Sequence, residues 1–261
     1  MLITYNGVKV VNFGNYNLRR VLSRLFVAAV FLFPFENIFS QTCGFGCLGL
    51  SGFYGGYSVE KYDAEGLNNF LNSFSPKDNL NFNMQKGEGL IVGMNIVRAN
   101  YTDFFFTFKG YYQFYSETQE KPMNSDPLKN IINAKFEMNN WGFGLNFGIP
   151  LFSIFDWKVI EGNLSFYSPE LTVQEKYDNY LVNEEIFSSD RVRMGFSLGS
   201  GLIIHVIRDY VSLEATGLYS FAEVDNLISE KTGIKIPARE EKLILQGGII
   251  GIVQLNVGIP F

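Results

Sequence analysis

"QLNVGIPF", Gln254 to Phe261, alternates apolar residues with small or amide ones and closes on an aromatic ring. The alternation begins well upstream. From Leu243 the odd positions read Leu243, Leu245, Gly247, Ile249, Gly251, Val253, Leu255, Val257, Ile259 and Phe261. The even positions carry Gln246, Gly248, Gln254, Asn256 and Gly258 among a few apolar residues. Successive side chains on a strand point to opposite faces. A strand over 241–261 therefore has one face that is apolar almost throughout. Ordinary strands run to about 5–6 residues, whereas crossing the hydrocarbon of a bilayer takes roughly 9–11. The stretch has the length and the two-faced pattern of a membrane-crossing strand.

Other segments repeat the pattern. "NWGFGLNFGI" sets Trp141, Phe143, Leu145, Phe147 and Ile149 against Asn140, Gly142, Gly144, Asn146 and Gly148. "YVSLEATGLYSF" sets Val211, Leu213, Ala215, Gly217, Tyr219 and Phe221 against Ser212, Glu214, Thr216 and Ser220. The alternation predicts eight strands, near 46–58, 84–98, 101–117, 131–149, 155–173, 190–206, 209–222 and 241–261. Connections alternate between short ones, near Ala99, Pro150 and Ile207, and long ones at 59–83, 118–130, 174–189 and 223–240. Outer-membrane barrels have short periplasmic turns and longer outer loops, with an even strand count. The expected fold is all-β: an eight-stranded antiparallel transmembrane β-barrel preceded by a cleavable signal peptide.

Arg19, Arg20 and Arg24 lead into the apolar run "LFVAAVFLFPF", and Ser40 and Gln41 follow as cleavage neighbours. A basic stretch, a short apolar core and a small residue form the pattern of a secretory signal. The expected organisation is a signal peptide at 1–41 and an outer-membrane β-barrel at 42–261. Beyond the signal no apolar run reaches the length of a membrane helix, so strands must do the crossing, and only a closed barrel satisfies their backbone in lipid.

Which face meets lipid is decided by two features. Glycines and amides gather opposite the bulky apolar face, where a narrow eight-stranded lumen needs them. Aromatic residues gather at strand ends: Tyr101, Phe155, Trp157, Tyr210 and Phe261 at one border, Tyr112, Phe114, Trp141, Tyr219 and Phe221 at the other. Rings at headgroup depth form such girdles. A soluble barrel with its apolar face inward is the competing arrangement.

The "FSQ" that closes the signal, the eight strands and the final "VGIPF" resemble the small outer-membrane β-barrel proteins of Bacteroidetes-type bacteria, similar to the OmpA-like transmembrane barrel family. The resemblance implies a cell outer-membrane location and a C-terminal assembly signal, Val257, Ile259 and Phe261, read by the barrel-assembly machinery. It implies outer-membrane lipids and lipopolysaccharide as further partners.

The chain has 261 residues, 47% hydrophobic and 16% aromatic, with net charge −5. That charge argues against a nucleic-acid partner. No cofactor, metal or catalytic site is expected. "GFGCLG", Gly44 to Gly49, matches a dinucleotide fingerprint but lacks the strand before it and the helix after it. Cys43 and Cys47 would lie about 13 Å apart on an extended strand, too far for a disulfide, whereas a turn at the glycines between them would allow a periplasmic one. His205, the one histidine, falls near a periplasmic turn and has no assignable nucleophile. Lys109, Glu161, Glu214 and Arg193 point into the lumen, where charges must pair. They read as a static plug or as a gate for small ions. The plug is favoured, since side chains fill barrels this small. The expected protein is a monomeric, non-enzymatic barrel with a structural or surface-binding role. The alternative is a narrow porin or small-solute channel. In the first long loop Asp63 is a helix N-cap candidate, and Leu67, Phe70, Leu71 and Phe74 share a helical face. That helix would lie across the outer mouth. The loop acids Glu175, Asp178, Glu184, Glu185 and Asp190 read as a solvated face, with divalent cations bridging lipopolysaccharide as the alternative use.

Overall fold

The computed structural model describes residues 51–74, 80–123, 129–208, 210–237, 242–245 and 247–258. The expected signal peptide at 1–41, Cys43, Cys47, "GFGCLG", Ile259 and Phe261 lie outside the described residues.

Twelve strands and one helix make up the described chain. Eight strands close a ring. These are β1 (Gly52–Lys61), β2 (Lys86–Asn100), β3 (Phe105–Gln113), β5 (Asn130–Phe152), β6 (Phe155–Tyr177), β8 (Arg193–Ile207), β9 (Val211–Phe221) and β12 (Ile249–Gly258). Each ring strand pairs antiparallel with both neighbours, and β1 meets β12 in unbroken register from Gly52↔Gly258 to Glu60↔Ile250. Closure leaves the wall without a free edge, the condition for a sheet to sit in lipid.

Alternation sets the faces. Along β12, Ile249, Val253, Leu255 and Val257 face outward while Ile250, Ile252, Gln254 and Asn256 face in. Leu145, Leu213 and Leu255 each leave more than two fifths of their surface exposed. Exposure of that kind recurs around the ring, whereas soluble proteins rarely show so large an apolar surface. Ring stacking marks the outer border, with Trp141 against Phe166 at 4.4 Å and Phe196 against Phe221 at 4.5 Å. Trp157, Tyr210 and Tyr101 are exposed at the other border.

The longer connections are not bare loops. β5 and β6 continue past the outer girdle as paired strands from Asn130↔Tyr177 inward. β4 (Ser116–Pro122) joins the β5 extension, and β7 (Tyr180–Ser188) joins that of β6. β10 (Leu227–Ser229) and β11 (Lys235–Ile236) add short strands beyond β7. The expected strand over 101–117 therefore breaks after Gln113. The Phe114 N–H still bonds Leu90 and Tyr115 accepts from Met138, and β4 then continues alongside β5 while keeping one pair with β2, Ser116↔Glu88. The expected strand over 241–261 shortens too. Leu243 and Ile244 are both buried, and Ile244 bridges Val224 in the outer region, so regular pairing begins only at Ile249.

The helix α1 (Glu65–Ser73) sits in this outer region. Leu67 and Leu71, four apart on one face, are fully buried. Phe70 and Phe74 pack beside them. Asp63 accepts the Glu65 N–H at 3.3 Å, although the residue at the cap position is Ala64. Leu80, Phe82, Met84, Phe136, Leu171 and Leu243 join the two leucines in one apolar core on the inner side of the sheet extension. The result is a folded cap over the outer end of the barrel.

Orientation gives a direct test. With Cys43 and Cys47 replaced by serine, single cysteines at Asp178, the outer hairpin turn, and Ser153, a short turn, differ in access to a membrane-impermeant maleimide on intact cells. Only the Asp178 site is expected to label. Labelling of Ser153 alone would invert the barrel.

Candidate functional site: the charged lumen

The lumen carries its charges in two groups. The central one comprises Lys109 of β3, Lys158 and Glu161 of β6, and Glu214 of β9. Glu161 bridges both lysines. Its Oε1 meets Lys109, and its Oε2 lies 2.5 Å from Lys158. Lys158 also bonds Glu214 and Thr216. Asn163 donates to Glu161 Oε1 at 3.1 Å, and Asn256 donates to Glu214 Oε2 at 3.4 Å. Two ammonium groups thus alternate with two carboxylates. All four side chains are buried, with Glu161 and Lys158 at zero exposure. Unpaired, any of them would cost several kcal/mol (about 3–5 when one partner is deleted). The neutral chain of alternating charge is what makes the layer tolerable.

Small residues make room for it. A Cβ on Gly144 would fall 2.2 Å from Asn163 Oδ1 and 2.7 Å from Lys109 Cε. A Cβ on Gly201 would meet Lys158 Cε at 2.8 Å. Gly144 and Gly201 are thus spaces that the lumen lysines occupy, while Gly142, Gly148 and Gly195 make room for the Tyr111, Phe105 and Tyr167 rings. A cavity of about 10 Å³ lies between Lys109, Tyr111, Asn163 and Tyr167, and a volume of that order holds at most about one water. In its wall Tyr111 shares a 2.6 Å hydrogen bond with Ser165, and Gln113 donates to Ser58 at 2.7 Å.

The second group sits at the end of the barrel that carries the short turns. His205 Nε2 and Asp156 Oδ2 lie 2.8 Å apart, and Arg98 donates to the same oxygen at 3.3 Å. Arg98 also donates to Asn100 at 3.1 Å and sits 4.8 Å over the Phe105 ring. Among the described residues, no hydroxyl or thiol is hydrogen-bonded to His205.

The structure brings together Lys109, Glu161 and Glu214 and adds Lys158 between them. Arg193 does not join them. It lies at the outer end of β8, opposite Tyr167, while Glu161 lies opposite Gly199. At about 3.3 Å per residue that separation is near 20 Å. Its guanidinium instead donates to Asp225 at 2.7 Å and to Asp190 at 3.5 Å. Val257 faces outward on β12, opposite Phe53 and Val211. Asp190 is thereby an ion-pair partner rather than one of a free acidic set.

Lys158, Asp156 and Arg98 escape a simple alternating reading because bulges reverse it. On β6 the register shifts between Lys158 and Glu161, so Trp157 and Ile160 both face lipid although they differ in parity. On β2 the shift at Ile96 turns Arg98 inward, although Leu90, Val92 and Met94 of the same parity face out. Two bulky apolar residues three apart in a strand are the signal that could reveal such a bulge.

In the cap, Glu117 Oε2 accepts three hydrogen bonds: from the Tyr62 hydroxyl at 2.7 Å and from the Gln85 and Lys86 N–H groups at 2.9 and 2.7 Å. Burial first, then the Glu117 carboxylate, holds the Tyr62 phenol well above its ordinary range, so it stays a donor. This knot ties the approach to β2 against β4.

A closed antiparallel ring, an apolar outer belt with aromatic borders and a polar interior define an integral outer-membrane β-barrel protein. No protein-family model matches the sequence, and no curated protein matches it. Solved structures similar to it include Ail, the attachment invasion locus protein of Yersinia pestis, at 11% identity and a TM-score of 0.38. That match covers 81% of this chain and 98% of Ail. Ail in complex with the heparin analogue sucrose octasulfate matches at 12% identity with the same TM-score and coverages. The outer membrane protease OmpT from Escherichia coli matches at 10% identity and a TM-score of 0.36, covering 81% of this chain and 95% of OmpT. Likenesses this remote carry no activity across.

Proposed function

We propose that this protein is a closed, non-enzymatic barrel that displays a folded cap at the cell surface and conducts no solute. The observation that carries this reading is the stacking of two closures. A neutral chain of four buried charges fills the middle of the lumen, and the apolar cap core lies over its outer end. A pore needs a continuous water-filled path, and the lumen offers a cavity of about 10 Å³ beside Lys109. The rival porin reading requires both closures to open.

An enzyme reading would rest on the His205–Asp156 pair. That pair lies at the periplasmic end, and its Asp156 oxygen is shared with Arg98. A structural role fits this sharing better, because one Asp156 oxygen holds both Arg98 and His205 in place. The small Bacteroidetes-type, OmpA-like barrels remain the proposed kinship. With it come a C-terminal assembly signal at Val257, Ile259 and Phe261, contact with lipopolysaccharide, and a monomeric state.

Liposome swelling tests the reading. Vesicles carrying the folded protein are expected to admit arabinose no faster than protein-free vesicles. Swelling that scales with protein content would establish the porin alternative.

A further inference from the structure

A groove of about 510 Å³ opens at the outer rim, where the top of β1, the start of α1, the approach to β2 and the entry to β12 converge. Its walls are fixed through the backbone. The Asn83 N–H and C=O are both held by the Gln119 side chain, at 3.1 and 2.7 Å. Gln85 donates to Glu117 and accepts from the Tyr62 N–H. Leu67 donates to Leu243, and Leu245 donates to Asp63. The side chains of Asn69, Asn83 and Gln85, by contrast, make no hydrogen bond to other described residues. The groove therefore combines a rigid frame with uncommitted amides, each carrying donors and an acceptor.

Its charge excludes one class of ligand. Lys61, Asp63 and Glu65 are the ionisable lining groups besides Tyr62, whose hydroxyl is held by Glu117. One cation against two carboxylates, with no arginine, disfavours phosphate, which binds best to arginine forks or clustered cations. Amides of this kind suit neutral hydroxyls.

Its position points to the ligand's source. Gly247 and Gly248, which line the groove, lead directly into Ile249, the first lipid-facing residue of β12, which is 66% exposed. Just below, Gly251 of β12 pairs with Gly217 of β9, and both lie on the outward parity. A Cβ added at either would meet nothing within 4 Å. The lipid-facing wall is thus recessed beneath the polar groove.

We propose that this groove and recess bind an outer-leaflet glycolipid, with a neutral sugar headgroup against Asn69, Asn83 and Gln85 and an acyl chain along Gly251 and Gly217. The inference rests on the reading of the chain as a membrane barrel, and it holds whether or not the lumen conducts.

Native mass spectrometry of the full folded barrel tests it, using monoglucosyl diacylglycerol, phosphatidylglycerol with the same acyl chains, and soluble methyl glucoside as probes. The glucosyl lipid is expected to be retained over both others. Replacing Asn69→Leu and Asn83→Leu together should lower its retention about tenfold, the equivalent of roughly two lost hydrogen bonds. Gly251→Leu fills the recess without touching the amides and should lower retention as well. Heat-modifiable gel migration confirms that each variant is folded. Gln85→Leu replaces the double variant if that one fails to fold. Equal or better retention of phosphatidylglycerol would overturn the neutral-sugar assignment. Methyl glucoside binding as tightly as the lipid, or retention indifferent to Gly251→Leu, would overturn the lipid source. Retention unchanged by the amide substitutions would remove the groove.

Discussion

Glu161→Ala is expected to destabilise the barrel by about 3–5 kcal/mol, the range for removing one member of a buried ion group. Glu161 touches both lumen lysines and has zero exposure. Without it, Lys158 keeps Glu214. Lys109 loses its one ion-pair contact among the described residues and keeps the Tyr54 ring, 5.8 Å from its ammonium, and the more distant charge of Glu214. The lumen would hold two cations and one anion where water does not reach. The loss should appear as a lower urea midpoint for refolding in detergent micelles. Exchanging all four charged groups together for apolar residues of similar volume should recover most of it, since replacing a complete buried ion group is often neutral. A loss below about 1 kcal/mol for Glu161→Ala, the scale of exposed pairs, would mean that water reaches the charged layer.

Leu71→Asp carries the second large effect, confined to the cap. Leu71 is fully buried in the apolar core between α1 and the sheet extension. Deleting such a side chain costs about 2–5 kcal/mol, and an unpaired carboxylate adds to that. The ring strands hold one another through wall hydrogen bonds in which α1 takes no part. Local opening without global unfolding is therefore expected. Protease should cut within 63–85 on intact cells while the barrel keeps its heat-modifiable migration. Loss of both together would show that cap and wall form one cooperative unit.

These two sites differ in how far the sequence reveals them. The wall was legible because lipid on one side and a narrow lumen on the other impose strict alternation on Trp141 to Ile149 and on Val211 to Phe221. Lys109, Glu161 and Glu214 follow from that alternation directly. Lys158, Asp156 and Arg98 do not, because bulges near Ile160 and at Ile96 reverse the faces below them. The helix α1 announces itself by Leu67 and Leu71, four residues apart. The strands of the cap are harder to see. Tyr180, Leu181 and Val182 are consecutive and all exposed, so β7 has no buried face near its turn to impose a period. Leu243 and Ile244 continue the pattern of β12 by chance of composition, yet both are buried in the cap core. Arg193 shares the lumen parity but lies too high on β8, since parity reports the face and not the depth.

Single-channel recording in planar bilayers tests the central claim most directly. The folded protein is expected to give no steady conductance. Lys109→Ala alone should leave it closed, because the cap core still covers the outer end. Lys109→Ala with Leu71→Asp should give cation-favouring currents, since both closures are then breached and the lumen carries excess carboxylate. A large, steady conductance from the unaltered protein, insensitive to either substitution, would contradict the account.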